Sequence, residues 1–212
     1  MKLITLSGHS KSGKSLVATI IKMIDTWNNS QFLQVNYPDI KQFIITFLHN
    51  KSTVATQGTT YVEVAFADCL KYVIALIFNI DEPKLLWDQL FKETPNSLSL
   101  TDKEGHIYSY RELLQLIGTE VCRTINPDIW IKALFNTLSD NGKYIISDVR
   151  FMNELKYCKE NNAITIRINR NVKQLNHQSE TELDNYNDFD HIIDNNGTIE
   201  DLIDKVLQLN II

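Results

Sequence analysis

Residues 8–15 are the stretch that most constrains this chain. They read Gly-His-Ser-Lys-Ser-Gly-Lys-Ser, which fits the phosphate-loop pattern Gly-x-x-x-x-Gly-Lys-Ser/Thr. The largely apolar run Lys2–Leu6 before them predicts a short buried strand, and Leu16–Met23 after them predicts an amphipathic helix. Strand, loop and helix in this order are the context that the pattern requires, so the sequence predicts a phosphate-binding turn near its start.

Each residue type in this loop has a physical role toward phosphate. Glycine lets the backbone curl around an anion because no Cβ is in the way. The loop N–H groups and the helix N-terminus direct partial positive charge at the phosphates. We expect Lys14 to reach the β- and γ-phosphates and the Ser15 hydroxyl to help hold Mg²⁺. The predicted phosphate-binding residues are Gly8, His9, Ser10, Lys11, Ser12, Gly13, Lys14, Ser15 and Leu16.

The composition is that of an ordinary soluble globular chain. Its 212 residues are 43% hydrophobic and 22% charged, which suits one domain with a small insertion. A formal net charge of -5 does not favour general nucleic-acid binding. We see no signal peptide and no apolar stretch of bilayer length, and the three widely spaced cysteines indicate reduced thiols in a cytosol. We therefore expect a cytoplasmic protein with no membrane partner and no stable nucleic-acid partner.

Predicted strands alternate with predicted helices along the rest of the chain. Further strands are expected at Tyr61–Phe66, Lys143–Ser147, Ala163–Ile168 and Asp190–Ile193, and helices at Asp39–Leu48, Asp68–Phe78, Arg111–Thr124, Pro127–Leu138, Phe151–Asn161 and Thr198–Leu209, the last with Thr198 as its N-cap. Such alternation implies a parallel sheet covered by helices on both faces. We predict an α/β fold with three layers, α/β/α, and a five-stranded parallel sheet of the P-loop NTPase type.

The predicted organisation is a single P-loop domain over residues 1–212. Its core is expected at 1–26, 61–78, 139–170 and 189–212, with a polar break after the first helix at Thr26–Ser30. A small helical insertion is expected at about 79–138, and Asn96–Tyr110 within it indicates a hairpin or an irregular flap. The polar, charged stretch at about 171–188 is predicted to be a mobile lid.

Ligands bind at the carboxyl ends of parallel strands, so residues that follow predicted strands are candidates. Asp148 follows an apolar strand and suits Mg²⁺ or its water shell, the alternative being an N-cap of the next helix. Many phosphate-loop ATPases place a Glu directly after this Asp, where it can orient a water molecule. Here the next residue is Val149, so the sequence does not favour an ATP-hydrolysing enzyme. Arg150 follows, and a guanidinium suits phosphate. An Asn-Lys-x-Asp motif is missing, which weakens a GTPase interpretation.

Two arginines mark the end of the fourth predicted strand, where a closing lid would deliver positive charge. They are Arg167 and Arg170, next to the predicted lid; a single arginine considered alone is more often a solvated surface cation. His177–Glu180 in the lid could suggest a metal site, but no second ligand pair has suitable spacing. We prefer a structural lid motif in which Ser179 caps a short helix.

The ordered set of these motifs resembles the bacteriophage deoxynucleoside monophosphate kinases. The matching pieces are the loop at 8–15, Phe66–Lys71, Leu114–Glu120 with Arg123, Asp128–Trp130, Ser147–Glu154, His177–Glu180 and the tail FDHIIDNNG. They are collinear and extend over nearly the whole chain. The animal-type phosphomevalonate kinases are similar over the loop, the Asp-x-Arg piece and the tail, and are the alternative. Both families often carry Asp where this chain has Ser15.

The resemblance implies a nucleoside monophosphate kinase-like fold and transfer of the ATP γ-phosphoryl group to a (deoxy)nucleoside monophosphate. It implies catalytic roles for Lys14, Arg150 and Arg170, with Arg167 as a further lid candidate. It implies Mg²⁺ at Ser15 and Asp148, and the adenine of ATP near Asn196 and Gly197. The implied acceptor-binding residues are Asp68, Lys71, Arg123, Asp128, Trp130 and Arg150.

Several alternatives stay open at this point. A nucleotide-dependent binding switch without an acceptor is the hypothesis from another functional class, and a purely structural domain is the third. The apolar helices at 68–78 and 111–138 could form a homodimer face or simply the core. If the chain is phage-encoded, its expected location is the host cytoplasm.

Overall fold

The strands form one parallel sheet. The computed structural model describes residues 1–50, 53–172 and 177–212. Its strands are β1 Lys2–Ser7, β2 Tyr61–Val64, β3 Lys143–Val149, β4 Ile164–Asn169 and β5 His191–Asp194. They lie in the order β2-β3-β1-β4-β5, and each neighbouring pair is parallel. The predicted α/β class with a five-stranded parallel sheet is confirmed.

Helices connect these strands. The α-helices are α1 Lys14–Asn28, α2 Gln31–Asn36, α3 Ile40–His49, α4 Ala67–Ile77, α5 Gln89–Lys92, α6 Tyr110–Gln115, α7 Cys122–Ile125, α8 Ile129–Phe135, α9 Met152–Glu160, α10 Gln178–Thr181 and α11 Ile199–Gln208. Short 3₁₀ segments lie at Thr53–Thr56 and Pro83–Trp87, and a π-helical segment lies at Leu116–Val121. Within the described ranges, no helix is both long and apolar enough to cross a bilayer.

The chain divides into two compact units. The first comprises residues 1–64 and 139–212, and the second comprises residues 65–138. The whole sheet belongs to the first unit. The sequence placed an insertion at about 79–138, whereas the second unit begins earlier, at Ala65.

The core of the first unit fixes both ends of the loop at 8–15. β1 is the central strand and buries every residue from Leu3 to Ser7, as a strand covered on both faces must. On α1, residues at helical spacing such as Val17, Ile20 and Ile24 pack into the same core. Because strand end and helix start are both anchored, the loop between them has little freedom.

Two boundaries in the first unit differ from the sequence prediction. The predicted break at Thr26–Ser30 is wrong for its first part, because α1 continues to Asn28 while the Thr26 hydroxyl donates to the Lys22 carbonyl. Ser30 then caps α2, a helix that the sequence analysis missed. β3 also runs beyond Ser147 to Val149, so Asp148 lies inside the strand instead of ending it, since Val149 pairs with Ser7 across an irregularity in β1.

Other boundaries agree with the prediction. Asp39 caps α3 by accepting from two backbone N–H groups, and Thr198 caps α11 by accepting from Asp201 N–H. The helix start at Asp39 and the cap at Thr198 could both be predicted, because in each case a short polar side chain precedes an apolar periodic run.

In the second unit, the helix predicted over 111–124 is interrupted. A π-helical segment separates α6 from α7. Gly118 lies in this segment, where a Cβ would stand 2.5 Å from Leu70 Cδ2, and its carbonyl accepts from Trp130 Nε1 at 2.8 Å. The helix therefore changes from α-helical to π-helical where Gly118 packs against its neighbours. The apolar periodicity of the sequence does not reveal this change.

The predicted hairpin at 96–110 is present as an irregular antiparallel pair. Pro95 bridges to Ser109, and Thr101 bridges to Ile107. Its turn is held by Asp102, whose Oδ1 accepts from Glu104 N–H and from the backbone N–H of residue 106. Helix α4 buries Leu70 and Ile74 but exposes other apolar side chains, Tyr72, Val73, Leu76 and Ile77 among them. The homodimer face suggested for this region stays a prediction.

Candidate phosphate-binding site

Glycines at two positions permit the loop between β1 and α1. Gly8 has a φ of 145° and Gly13 a φ of 106°, values that side-chain-bearing residues rarely adopt. A Cβ on Gly8 would lie 2.4 Å from the Ile168 carbonyl oxygen, and one on Gly13 would lie 2.3 Å from Asn195 Nδ2. The loop thus packs directly on the ends of β4 and β5, and glycine is required for this close approach.

Asn195 anchors the loop from the end of β5. Its Nδ2 donates to the Ser12 carbonyl at 2.8 Å in a buried hydrogen bond, and its backbone N–H donates to the Asn169 carbonyl at 2.7 Å. The residues predicted to act at this end of the sheet were its neighbours Asn196 and Gly197. Asn196 instead holds the turn itself, accepting from Asn171 N–H and donating to Asp194 Oδ1.

Gly197 adjoins the cap of α11. A Cβ there would meet Asp201 Oδ2 at 2.5 Å, and Asp201 accepts from Thr198 N–H. Asn196 and Gly197 therefore sit in a constrained turn at the carboxyl end of β5, while their predicted contact with adenine stays a prediction.

Lys14, the first residue of α1, folds back over the loop. Its Nζ donates to the Gly8 carbonyl at 2.6 Å and to the His9 carbonyl at 2.7 Å. Both carbonyls belong to the phosphate-loop motif. The ammonium group is therefore held at the loop, where the motif predicts it.

Positive charge is concentrated around Lys14. Burial and the nearby Arg150 guanidinium lower the pKa of Lys14 to about 7; Asp148 opposes this shift, and Arg167 adds to it. A buried amine beside two guanidinium groups is an arrangement that a bound anion would stabilise. Two guanidinium groups and the Lys14 amine thus lie near one loop that the sequence predicts to bind phosphate.

Buried polar atoms of the loop also fit a polar ligand. Among the described residues, His9 Nδ1 and Ser12 Oγ are buried and have no hydrogen-bond partner. Most buried polar groups in proteins are paired, so two unpaired ones in the same loop are unusual. The first intrahelical hydrogen bond of α1 runs from Val17 N–H to the Gly13 carbonyl. The N–H groups before Val17 in the first turn therefore have no acceptor within the helix. A phosphate group suits these donors.

The predicted Mg²⁺ ligands occupy two elements of the first unit. Ser15 is the second residue of α1, and Asp148 lies in β3, where its carboxylate acts electrostatically on Lys14. In the described part of the chain, no group of three or more His, Cys, Asp or Glu side chains could form a metal cage. Mg²⁺ in kinases commonly takes one or two carboxylates together with substrate phosphates, so a hydroxyl and one carboxylate fit this kind of site.

Glu180 connects the segment after β4 to the phosphate loop. Its Oε2 accepts from Ser10 N–H at 2.7 Å, and its Oε1 is paired with Arg150 Nη1. Glu180 is 8% exposed. The carboxylate therefore links a loop residue to an arginine that the sequence analysis placed at the phosphates.

Asp184 makes a second connection of the same kind. Its Oδ1 lies 3.0 Å from His9 Nε2 and accepts from Arg167 Nη2 at 2.6 Å. Arg167 is buried and also donates to Ser7 Oγ at 3.1 Å. Sequence reasoning found Glu180 only as part of a lid motif and missed Asp184, because neither position carries a local signal of loop contact.

The structure corrects part of the predicted lid motif. His177, and not Ser179, is the N-cap of α10, since His177 Nδ1 accepts from Ser179 N–H. Arg167 is buried beside the loop, whereas Arg170 is exposed after β4. Residues 173–176 of the predicted lid lie outside the described residues.

In the second unit, the structure brings two predicted acceptor-binding residues together. Asp68 Oδ1 accepts from Lys71 Nζ and from Trp87 Nε1, both at 3.1 Å, and Asp68 Oδ2 accepts from Ala65 N–H. The Lys71 ammonium also lies 4.3 Å from the centroid of the Trp87 ring. Trp87, which the sequence analysis did not include in the site, thus belongs to a cluster with Asp68 and Lys71.

The other predicted acceptor-binding residues of the second unit lie in α7 or at the start of α8. Arg123 Nη1 donates to the Pro127 carbonyl at 2.9 Å, and Asp128 stands at the start of α8. Trp130 is 8% exposed and donates its indole N–H to Gly118. This environment is that of a packing residue.

The chain is similar to known proteins over most of its length. The family model described as "Deoxynucleotide monophosphate kinase" matches residues 63–206, more than half of the chain. The phosphate loop at 8–15 precedes the matched region. A protein of Acanthamoeba polyphaga mimivirus, provisionally named as a deoxynucleotide monophosphate kinase, is 29% identical over 164 residues. That alignment covers 69% of this chain and 81% of the viral protein.

Proposed function

This chain belongs to the deoxynucleotide monophosphate kinase family, and on that basis we propose that it transfers the γ-phosphoryl group of ATP to a deoxynucleoside monophosphate. The family makes it a nucleotide kinase, a phosphotransferase with a small-molecule nucleotide substrate. The single observation that carries the finer proposal is the convergence of Lys14, Arg150 and Arg167 on the loop at 8–15. Lys14 Nζ donates to two loop carbonyls, and each arginine pairs with a carboxylate that contacts the loop. The products would be ADP and a deoxynucleoside diphosphate.

We propose that the loop binds the triphosphate of ATP. Its glycines allow the close backbone approach, and the first turn of α1 supplies N–H donors. Lys14 would move from the loop carbonyls to the β- and γ-phosphates. Ser15 and Asp148 would hold Mg²⁺, which when bound neutralises phosphate charge. Asn196 and Gly197 are proposed to lie near the adenine.

The proposed reaction needs positioning and charge more than proton transfer. An oxygen of the acceptor phosphate forms a bond to the γ-phosphorus while the bond to the β,γ-bridging oxygen breaks and ADP leaves. The attacking oxygen belongs to an anion, so a general base is not required. Lys14 and Arg150 would stabilise the charge on the transferred group. Arg170, an exposed residue after β4, is proposed as a further contact.

Acceptor-binding roles are proposed for residues of the second unit, and Arg150 of the first unit keeps the role that the resemblance implies. Lys71 and Arg123 provide cations in the second unit, and Asp68 orients Lys71 through the hydrogen bond described above. Asp128 is retained as a candidate polar contact. Trp130 would contribute by packing, since its indole N–H is already used.

The test is a coupled ADP-release assay over a panel of acceptors: deoxynucleoside monophosphates, ribonucleoside monophosphates and phosphomevalonate. We expect diphosphate formation from at least one deoxynucleoside monophosphate, dependent on Mg²⁺ and confirmed by chromatography of the product. ATP binding without a diphosphate product from any monophosphate would favour a binding switch. Turnover of phosphomevalonate alone would move the chain to that reaction, and no Mg·ATP binding would overturn the proposal.

A further inference from the structure

Glu180 is the residue whose placement the reaction does not explain. A carboxylate beside a phosphate cradle lowers the local positive potential and so opposes anion binding. Yet Glu180 is 8% exposed and is engaged on both of its oxygens. Such a residue needs a role that outweighs its unfavourable charge.

We propose that Glu180 is a positioning residue, which holds the Arg150 guanidinium in register with the phosphate loop. The inference rests on the proposed function, since Arg150 is assigned there to the transferred group. It does not require Glu180 to touch either nucleotide. Glu180 acts through Arg150.

The contacts define how Glu180 would do this. Arg150 follows β3, and its Nη1 is paired with Glu180 Oε1 and lies 3.4 Å from the Ser179 carbonyl. The other oxygen of the same carboxylate accepts from Ser10 N–H. One rigid carboxylate therefore spans the distance between the loop backbone and the guanidinium. Its two bonds fix the guanidinium relative to the loop, not merely to a neighbouring side chain.

Arginine is a long side chain with many rotamers, so an unrestrained guanidinium would occupy several positions. A group that stabilises a transition state must be held close to its productive geometry beforehand. Charge-assisted hydrogen bonds to a buried carboxylate provide such a restraint. The backbone of Glu180 is itself restrained, because its N–H donates to the His177 carbonyl and His177 caps α10.

The same arrangement occurs again four residues later. Asp184 lies between His9 of the loop and Arg167 of β4. Residues 177–189 are thus joined to the loop at two points, and each point includes an arginine. This repetition supports a positioning role for Glu180 over a chance surface ion pair.

The test is a double-variant cycle in steady-state kinetics. Glu180→Gln keeps the side-chain shape and removes the charge. We expect it to lower turnover by about 10- to 100-fold, the range for a misplaced catalytic group. It should reproduce the division between kcat and acceptor KM that Arg150→Ala shows. In the Arg150→Ala background, the same change should lower turnover by no more than about 3-fold, because the residue it positions is already gone.

The matched control is Asp188→Asn. Asp188 lies in the same segment, has a side chain that is 89% exposed, and pairs with Lys159. Asp188→Asn removes one negative charge, as Glu180→Gln does, but at a side chain that does not contact the loop. We therefore expect its turnover to stay within about 2-fold of the wild type. Additive effects of Glu180→Gln and Arg150→Ala would overturn the inference. So would a Glu180→Gln variant as active as Asp188→Asn.

Melting temperatures test the pairing of Glu180 with Arg150 independently of enzyme turnover. Arg150→Ala leaves a buried carboxylate without its cation, so the double variant should melt above Arg150→Ala alone. A double variant that melts below Arg150→Ala would contradict the pairing. This comparison does not need the single variant Glu180→Gln, so it holds even if that variant is too unstable to purify. No diphosphate from the wild type with any monophosphate would remove the proposed function and this inference together. Wild-type turnover with additive kinetic changes would remove this inference alone.

Discussion

Replacing Gly13 by alanine tests the geometry on which the phosphate site depends. Gly13 precedes α1, with φ 106° and ψ 12°. It faces Asn195, whose side-chain amide holds the Ser12 carbonyl. Alanine would therefore meet two obstacles at once: an unfavourable backbone conformation and a Cβ 2.3 Å from Asn195 Nδ2.

The two obstacles can be estimated separately. A left-handed backbone conformation costs a side-chain-bearing residue about 1–2 kcal/mol, and the less flexible unfolded chain returns about 0.4–1 kcal/mol. Displacing Asn195 would leave the buried Ser12 carbonyl unpaired, at about 1–3 kcal/mol. We expect Gly13→Ala to lower the free energy of unfolding by about 1–5 kcal/mol in sum.

Gly105 offers a matched control in the hairpin of the second unit. Its φ is 88°, and a Cβ there would meet nothing within 4 Å. Gly105→Ala carries only the backbone cost and the unfolded-chain gain, so we expect a loss of about 1.5 kcal/mol or less. Urea denaturation gives both free energies of unfolding, and titration calorimetry with Mg·ATP gives affinity. Only Gly13→Ala should weaken binding.

Asn195→Ala combined with Gly13→Ala separates the contact from the backbone strain. The double variant removes the atom that the new Cβ would meet, so the two changes should be less than additive. Equal losses of stability in Gly13→Ala and Gly105→Ala, with unaltered nucleotide affinity, would refute the reasoning. In that case the loop could not be packed on Asn195.

Three further predictions concern single side chains. Lys14→Ala should lower turnover at least ~10³-fold in the ADP-release assay, as loss of a central transition-state cation would, whereas near-normal turnover would reject its assignment. Burial alone would raise the pKa of the Asp25 carboxyl. Hydrogen bonds from the Thr60 backbone N–H and from the Thr59 and Thr60 hydroxyls outweigh this effect, so the pKa is lowered. Stabilisation by Asp25 is therefore present above its unfolded pKa of about 4 and lost as the pH falls through the folded pKa; Asp25→Asn should lose stability at pH 7, and the difference should shrink on acid titration by circular dichroism. Burial raises the pKa of the Cys158 thiol, so iodoacetamide should spare it in the native protein; rapid labelling, read by peptide mass spectrometry, would contradict its burial.

Local signals were sufficient for most of the first unit. The phosphate loop is a short contiguous pattern, and all five strands of the sheet were found from apolar runs next to turn residues. Asp39 was placed at the start of its helix and Thr198 was predicted as an N-cap, because each precedes an amphipathic run. Features that depend on neighbours in space could not be predicted from local sequence. The π-helical segment at 116–121 accompanies packing on Gly118, and the extension of β3 past Asp148 follows from pairing with β1. Helix α2 was missed although Ser30 caps it locally.

The site shows the same division. The sequence identified the anion-binding loop, its lysine and Arg150 as candidates, because residue type and spacing carry that chemistry. It placed Arg167 and Arg170 together as possible lid residues, although one is buried beside the loop and the other is exposed. Partners of the loop could not be deduced, since a carboxylate in a polar stretch has no pattern that distinguishes a contact from a solvated charge.

The amino-acid order was enough to predict an α/β scaffold with a candidate phosphate-binding loop, because glycine freedom, strand burial and helix capping act over a few neighbouring residues. Only the tertiary structure brings Glu180 to Ser10 across 170 positions and Asn195 to Ser12 across 183. The sheet order accounts for this, since β4 and β5 follow β1 on the same side and carry their ends to the loop. Strand neighbours are chosen by burial and crossover geometry of the whole chain, and no local stretch records that choice.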